Sequence, residues 1–189
     1  EFFVKLDYLL TSQIKEVNIL ADKIIELVIS SPLAAKNFSP GQFFRLQNYS
    51  NDLAKIIEPL AITGAYVDSD KGLIYLIILE TGKSSNLCRF FTKNEYVVLM
   101  GPTGAPTEIL QDRNIVVVGG GLGNAVLFSI AKAFKNNNCK IIYFAGYKNR
   151  QDRFYQDQIE QSSDMVIWCC EEGILAKNRQ SDISIKGNV

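Results

Sequence analysis

The chain has 189 residues, 47% of them hydrophobic, and its 20 basic residues are balanced by 20 acidic ones. That length can bury a real core and falls between one large domain and two small ones; the zero formal charge leaves no long-range field to recruit nucleic acid or an anionic membrane. The lack of histidine removes every triad or metal site that depends on imidazole, whereas redox chemistry carried by a bound cofactor needs no such side chain.

Up to about Gly104 the pattern is that of strands: "VNILADKIIELVIS", "GQFFRLQ", "EPLAIT", "GLIYLIILE" and "EYVVLMG", each bounded by Pro, Gly, Asn or Asp. About five or six such strands predict a small antiparallel barrel or sandwich. One short helix is expected within this block, over "SSNLCRFF", capped by Ser84 or Ser85 and with Leu87, Phe90 and Phe91 on one face.

After "GAPTEILQDR" the period changes. Strands are expected at "NIVVVGG", "CKIIYFAGY" and "DMVIWCC", and helices at about 125–136 and 153–161. Apolar strands alternating with amphipathic helices predict a parallel sheet covered on both faces. Three strands make a thin version of that fold, so the domain is expected to be incomplete at its C-terminus, with "AKNRQSDISIKGNV" a loop leading into another element. The expected division is a barrel over 1–108 and an α/β domain over 109–189.

The junction of the first of these strands with its helix carries the strongest local chemistry. A strand that enters Gly119, Gly120, Gly121, Leu122 and Gly123 and leaves into a helix gathers backbone N–H groups at a helix N-terminus, an arrangement suited to an anion. The G-x-G-x-x-G spacing fails, because Asn124 stands at the third glycine. The loop is therefore either a phosphate cradle of another kind or a plain turn. Gly82, Lys83, Ser84 and Ser85 form a second donor-rich turn, either a phosphate contact or a helix cap.

Cys88, Cys139, Cys169 and Cys170 lack paired ligand spacing and read as buried thiols, with no metal site expected. The apolar runs have strand length, far below the ~20 residues that span a bilayer. With no secretory pattern at the start, the expected compartment is the cytoplasm.

The ordered segments "PGQFFRLQ", "EPLAIT", "GKSSNLC", "GPTGAPTEI", "VVVGGGLGNA" and "EEG" resemble the ferredoxin-NADP reductase superfamily. The resemblance runs from about Val17 to Val189. It is particularly to FAD- and NAD(P)-binding electron-transfer subunits, such as the sulfide dehydrogenase beta subunit, the small subunit of NADH-dependent ferredoxin:NADP oxidoreductase and the dihydroorotate dehydrogenase electron-transfer subunit.

The resemblance implies a two-domain fold in which the barrel binds FAD and the α/β domain binds NAD(P)H. Hydride passes to the flavin, and electrons then go to a partner subunit or fused domain of an iron-sulfur, flavin or glutamate synthase-related type. It places the flavin along Pro59, Leu60, Ala61, Ile62 and Thr63, its pyrophosphate at Gly82, Lys83, Ser84 and Ser85, and the nicotinamide end near Gly101, Thr103 and Gly104. The NAD(P) phosphate loop falls on Gly119, Gly120, Gly121, Leu122, Gly123 and Asn124. Glu58 and Ala61 replace the family's usual arginine and hydroxyl residue, so Arg45 is either a substitute cation for the flavin phosphate or an exposed strand charge. Lys148, Arg150 and Arg153 in "GYKNRQDRF" either meet a ribose or 2'-phosphate or form a solvated loop, and Glu171 or Glu172 is placed to accept from the nicotinamide amide or a ribose. No ionised catalytic residue is expected. A [2Fe-2S] centre is expected only past Val189 or in a partner. The competing expectation is a degenerate or regulatory nucleotide-binding module without redox turnover.

Overall fold

The computed structural model describes residues 11–48 and 56–189, with side chains over 12–48 and 59–189. The chain divides into two units, Glu1–Thr107 and Glu108–Val189.

The first unit is a closed antiparallel barrel of six strands in the order β1-β2-β5-β4-β3-β6. They are β1 (Thr11–Ala21), β2 (Ile24–Ser30), β3 (Phe43–Asn48), β4 (Ile56–Asp68), β5 (Leu73–Leu79) and β6 (Tyr96–Thr103). Alternate residues turn inward: Ile25, Leu27 and Ile29 of β2 meet Phe44 and Leu46 of β3, Ile74 and Leu76 of β5, and Val97 and Leu99 of β6 in one core. Each such side chain contributes about 1.5–3 kcal/mol by leaving water. Closure explains why so small a sheet is stable, since no strand edge is left open.

Two helical pieces decorate the barrel. Helix α1 (Pro32–Asn37) was not among the sequence expectations; Pro32 opens it with a preset φ, and Ala34 and Ala35 tuck into the core. Helix α2 (Lys83–Leu87) starts from Gly82, not from a serine cap. It tightens into a 3-10 turn at Cys88–Phe90, which breaks the expected apolar stripe. Cys88 and Phe91 point inward, while Phe90 is 58% exposed.

The second unit is a parallel sheet in the order β10-β9-β8-β7. Its strands are β7 (Asn114–Gly120), β8 (Lys140–Tyr147), β9 (Met165–Cys170) and β10 (Ile183–Lys186). Helix α3 (Asn124–Asn136) joins β7 to β8 and helix α4 (Gln156–Gln161) joins β8 to β9, the latter preceded by a 3-10 turn at Arg150–Asp152. That turn and a left-handed Tyr155 (φ 55°) delay α4 beyond its expected start.

Two expectations are corrected. Strand β10 lies where a loop was expected. The expected helices cover one face only: α3 and α4 pack on the side of Val117, Ile141, Tyr143, Val166 and Trp168, while on the other side Val116 (61%) and Val118 (55%) of β7 are exposed and Ile167 and Cys169 of β9 are buried.

Candidate functional site

The loop after β7 is built by three glycines with different jobs. A Cβ on Gly119 would stand 2.3 Å from Asn124 Oδ1 and 2.7 Å from Leu127 Cδ1, so only glycine lets α3 pack this closely on the strand. Gly121 has φ +51° and opens a 3-10 turn, Gly121–Gly123, that feeds directly into α3. Nothing lies within 4 Å of a Cβ built on Gly121 or Gly123, so the loop's outer side is open to a ligand that must approach the backbone. The Asn124 N–H already donates to Gly121 O, so the N–H groups at the positive end of the α3 dipole that lack an acceptor within the helical stretch are those of the Gly121–Gly123 turn that leads into it.

Asn124 is fully buried. Its Nδ2 donates to Gly121 O (3.2 Å) and Gly146 O (3.3 Å), and its Oδ1 accepts from Tyr143 Oη (3.2 Å). The side chain thus ties the loop to the end of β8. Leu122 is half-buried beside it. Tyr143 was not singled out from sequence; burial holds its phenol neutral far above the usual range, which keeps it a donor to Asn124.

At the ends of β8 and β9 the chain brings Arg150 and the acidic pair together. The N–H groups of Glu171 and Glu172 donate to Tyr147 O (3.2 Å) and Lys148 O (3.1 Å), and both glutamates are exposed. The guanidinium of Arg150 lies across Gly173, where a Cβ would sit 2.9 Å from Nε. Gly173 is a second close approach whose partner sequence reading had missed, because 23 residues separate the two. Arg153 is committed elsewhere: it stacks 5.4 Å from the centre of the Trp168 ring and donates to Ala176 O. Cys169 and Cys170 are buried, and burial raises the Cys169 thiol above its ordinary range. The raised Cys169 therefore stays a thiol at neutral pH, and Cys170 is fully buried.

On the barrel, pleating decides which sequence-selected residues share a surface. Arg45 is exposed and stands between Ala61 of β4 and Met100 of β6; Phe43 stands between Thr63 and Thr103. Pro59, Ala61 and Thr63 face outward with Arg45, whereas Leu60 and Ile62 turn toward the core. The Glu58 side chain lies outside the described residues. Gly101 (φ +135°) fits against Phe44, and Gly104 O accepts from Gln42 Nε2 (2.8 Å).

Helix α2 packs against β4 and β5, which brings the 82–85 turn beside the same strand. Ser85 is buried there; its Oγ accepts from the N–H of Gly82 (2.9 Å) and Thr81 (3.2 Å) and donates to Gly82 O (3.1 Å). Its hydroxyl therefore shapes the turn, while Lys83 is exposed and Ser84 half-buried. Just before the turn, buried Glu80 is paired with Arg89 Nε (2.9 Å), without hydrogen-bond alignment. Its charge, after burial, raises the Cys88 thiol to about 12.

Among the described residues no group of three or more His, Cys, Asp or Glu side chains could hold a metal ion, and no helix is long and apolar enough to cross a membrane. No family model matches the chain. It is 28% identical over 155 residues to a Thermotoga maritima protein named as a homolog of the dihydroorotate dehydrogenase B (NAD(+)) electron transfer subunit, covering 82% of this chain and 53% of that one. The structure of NADH-dependent reduced ferredoxin-NADP oxidoreductase matches with a TM-score of 0.77 at 25% identity, over 86% of this chain and 57% of that one. In sequence and fold the chain is similar to members of the ferredoxin-NADP reductase superfamily and to electron transfer subunits related to them.

An uncharacterized Rickettsia prowazekii protein is 53% identical over 146 residues, which span 77% of this chain but 20% of that protein. The chain thus spans about half the length, or less, of these two sequence relatives. Within the superfamily, the ferredoxin-NADP+ reductase of Plasmodium falciparum shares the fold at 14% identity and a TM-score of 0.68. The barrel followed by a parallel sheet is the superfamily's two-part architecture.

Proposed function

We propose that the chain is the nucleotide-binding module of a flavin-dependent oxidoreductase, taking electrons from NAD(P)H through FAD to a partner iron-sulfur or flavin protein. The observation that carries this reading is the loop of the second unit. It combines an open outer side over Gly121 and Gly123, a helix N-terminus and a side-chain brace beneath it at Asn124. The names of the relatives support it, since they include NAD(+)-linked electron transfer subunits.

The residues present fit both dinucleotides. Gly120, Gly121, Leu122 and Gly123 would receive the NAD(P)H pyrophosphate through backbone N–H groups, with Gly119 and Asn124 fixing the loop's shape. Arg150, with Glu171 or Glu172, would orient the ribose or the amide of the nicotinamide half. On the barrel, Arg45 would supply the cation that Glu58 cannot, and Pro59, Ala61 and Thr63 would offer a flat outer strand surface. Gly82, Lys83 and Ser84 would meet the FAD phosphates, with Ser85 shaping their turn. Gly101, Thr103 and Gly104 would hold the chain that borders this surface, and Leu60 and Ile62 would anchor β4 from within. FAD, when bound, supplies an acceptor that takes two electrons as hydride and releases them singly or in pairs. The chain's own work is positioning and exclusion of water, for which it needs no ionised catalytic side chain.

The barrel half is tested by Arg45→Glu. Arg45 is exposed and packs no core, so stability should change by less than about 0.5 kcal/mol. FAD affinity should fall by about 10-fold or more in equilibrium titration, from loss of a charge-assisted contact. Unchanged FAD affinity would remove Arg45 from the site.

A further inference from the structure

Residue 124 stands where a dinucleotide fingerprint has its third glycine, the one that lets a helix pack closely on its strand. This chain inverts that contact. The glycine is on the strand, at Gly119, and the helix brings a fully buried asparagine: a Cβ on Gly119 would stand 2.3 Å from Asn124 Oδ1 and 3.2 Å from its Cγ. A buried amide is costly unless its polar atoms are paired. The partners of this one fix which way it faces. Gly121 O and Gly146 O can only accept, so both take Nδ2 (3.2 and 3.3 Å), while Oδ1 accepts from the Tyr143 hydroxyl (3.2 Å). Turning the amide over would set Oδ1 against two carbonyls. Tyr143 is itself fully buried on β8, and burial keeps its phenol protonated.

The amide in turn decides where the loop's own N–H groups point. Gly121 O receives two donors, the Asn124 side chain and the Asn124 backbone N–H. A trans peptide carries its C=O and N–H in opposite directions. Holding Gly121 O toward the buried amide therefore turns the Leu122 N–H away from it, to the side left open over Gly121 and Gly123. The second N–H of the amide holds Gly146 O, at the end of β8 and paired in the sheet with Gly120, so the loop is fixed against the strand end. Such fixing is not supplied by the backbone. Four of the five residues from Gly119 to Gly123 are glycine, which takes positive and negative φ about equally readily. Left to itself, the turn is free to present carbonyl oxygens where an anion would lie.

We propose that Asn124 and Tyr143 are positioning residues of the nucleotide loop. Asn124 holds the peptide between Gly121 and Leu122 with its carbonyl inward and its N–H outward, toward the pyrophosphate, and Tyr143 holds Asn124 in the amide orientation that does so. Both side chains are fully buried, so they act through the Leu122 N–H and not by touching the ligand. The consequence for the ligand rests on the NAD(P)H reading, whereas the clamp is a property of the protein without ligand. A loop preset in its binding arrangement binds at full strength; one that occupies that arrangement for a fraction of the time binds more weakly by that fraction.

The test compares the parent protein with Asn124→Ala and Tyr143→Phe in two measurements. Without ligand, backbone nitrogen relaxation dispersion should be flat at Gly121, Leu122 and Gly123 in the parent and should show exchange there in both variants. In titration, the dissociation constant of whichever of NADH and NADPH binds should rise about 10-fold in Asn124→Ala and about 3-fold in Tyr143→Phe. That of inorganic pyrophosphate should rise by the same factors, with FAD uptake unchanged. The populations read from the dispersion should account for these factors, an agreement that a general loss of stability does not produce. A rigid loop in either folded variant, or affinity lost without loop exchange or kept despite it, would overturn the proposal. Should Asn124→Ala fail to fold, Tyr143→Phe carries both measurements. Loop exchange in the variants of a parent that binds neither nucleotide nor pyrophosphate rejects the ligand reading and keeps the clamp.

Discussion

At the scale of single residues, the phosphate loop separates what glycine does for packing from what it does for a ligand. A methyl group on Gly119 collides with Asn124 and Leu127, so Gly119→Ala should cost about 1–3 kcal/mol in denaturant unfolding. Gly123 has helical backbone (φ −55°, ψ −28°) and open space around it. Gly123→Ala should leave stability equal or raise it by up to about 1 kcal/mol, yet weaken NAD(P)H binding by calorimetry, because the methyl occupies the phosphate's approach. Asn124→Asp should cost about 2–3 kcal/mol, since it replaces the two donations to Gly121 O and Gly146 O by a buried carboxylate facing carbonyls. The spacing that sets Asn124 apart from a dinucleotide fingerprint was legible from sequence. Its partners were not, because Tyr143 and Gly146 lie 19 and 22 residues away and meet it only once β8 is in the sheet.

At the scale of elements, β10 shows why a four-residue strand escaped the sequence reading. Its pattern is weak, and it is held by contacts made outside it. Arg179 grips Asp182 through Nε (3.0 Å) and Nη2 (2.7 Å), while its Nη1 donates to the carbonyls of Glu160 and Ser163. Asp182 Oδ1 also accepts from Val166 N (3.0 Å), which sets β10 beside β9. Burial alone would raise the Asp182 carboxyl; the hydrogen bonds from Arg179 and Val166 outweigh it and leave the pKa below its ordinary 3.8. The folded state therefore keeps this charge to lower pH than the unfolded chain. Its stabilisation is complete above about pH 4 and is lost as pH falls through the folded value. Asp182→Asn should destabilise the second unit by about 3 kcal/mol at neutral pH. It should also flatten the decline in melting temperature below pH 4, and an unchanged acid limb would assign that decline to other carboxylates. The barrel strands were legible because period-2 patterning and closure agree. Helix α1 was not, being under two turns and dependent on Pro32 and the core contacts of Ala34 and Ala35.

At the scale of the whole molecule, the order of a closed barrel and a parallel sheet was readable from the change in hydrophobic period and the spacing of glycines. That the helices cover one face only was not, because an apolar strand looks the same in sequence whether one or both of its sides are packed. The functional account joins one ligand to each unit, FAD to the barrel and NAD(P)H to the sheet, and its central claim is that electrons pass between them. Anaerobic mixing of the FAD-loaded protein with NADH and, separately, with NADPH tests this most directly. The account predicts that at least one of the two bleaches the flavin's visible absorption band in a single turnover, and that Gly123→Ala slows the bleaching while FAD stays bound. Nucleotide binding without any bleaching, or a protein that takes up no FAD, would contradict it and leave a nucleotide-binding module without redox turnover.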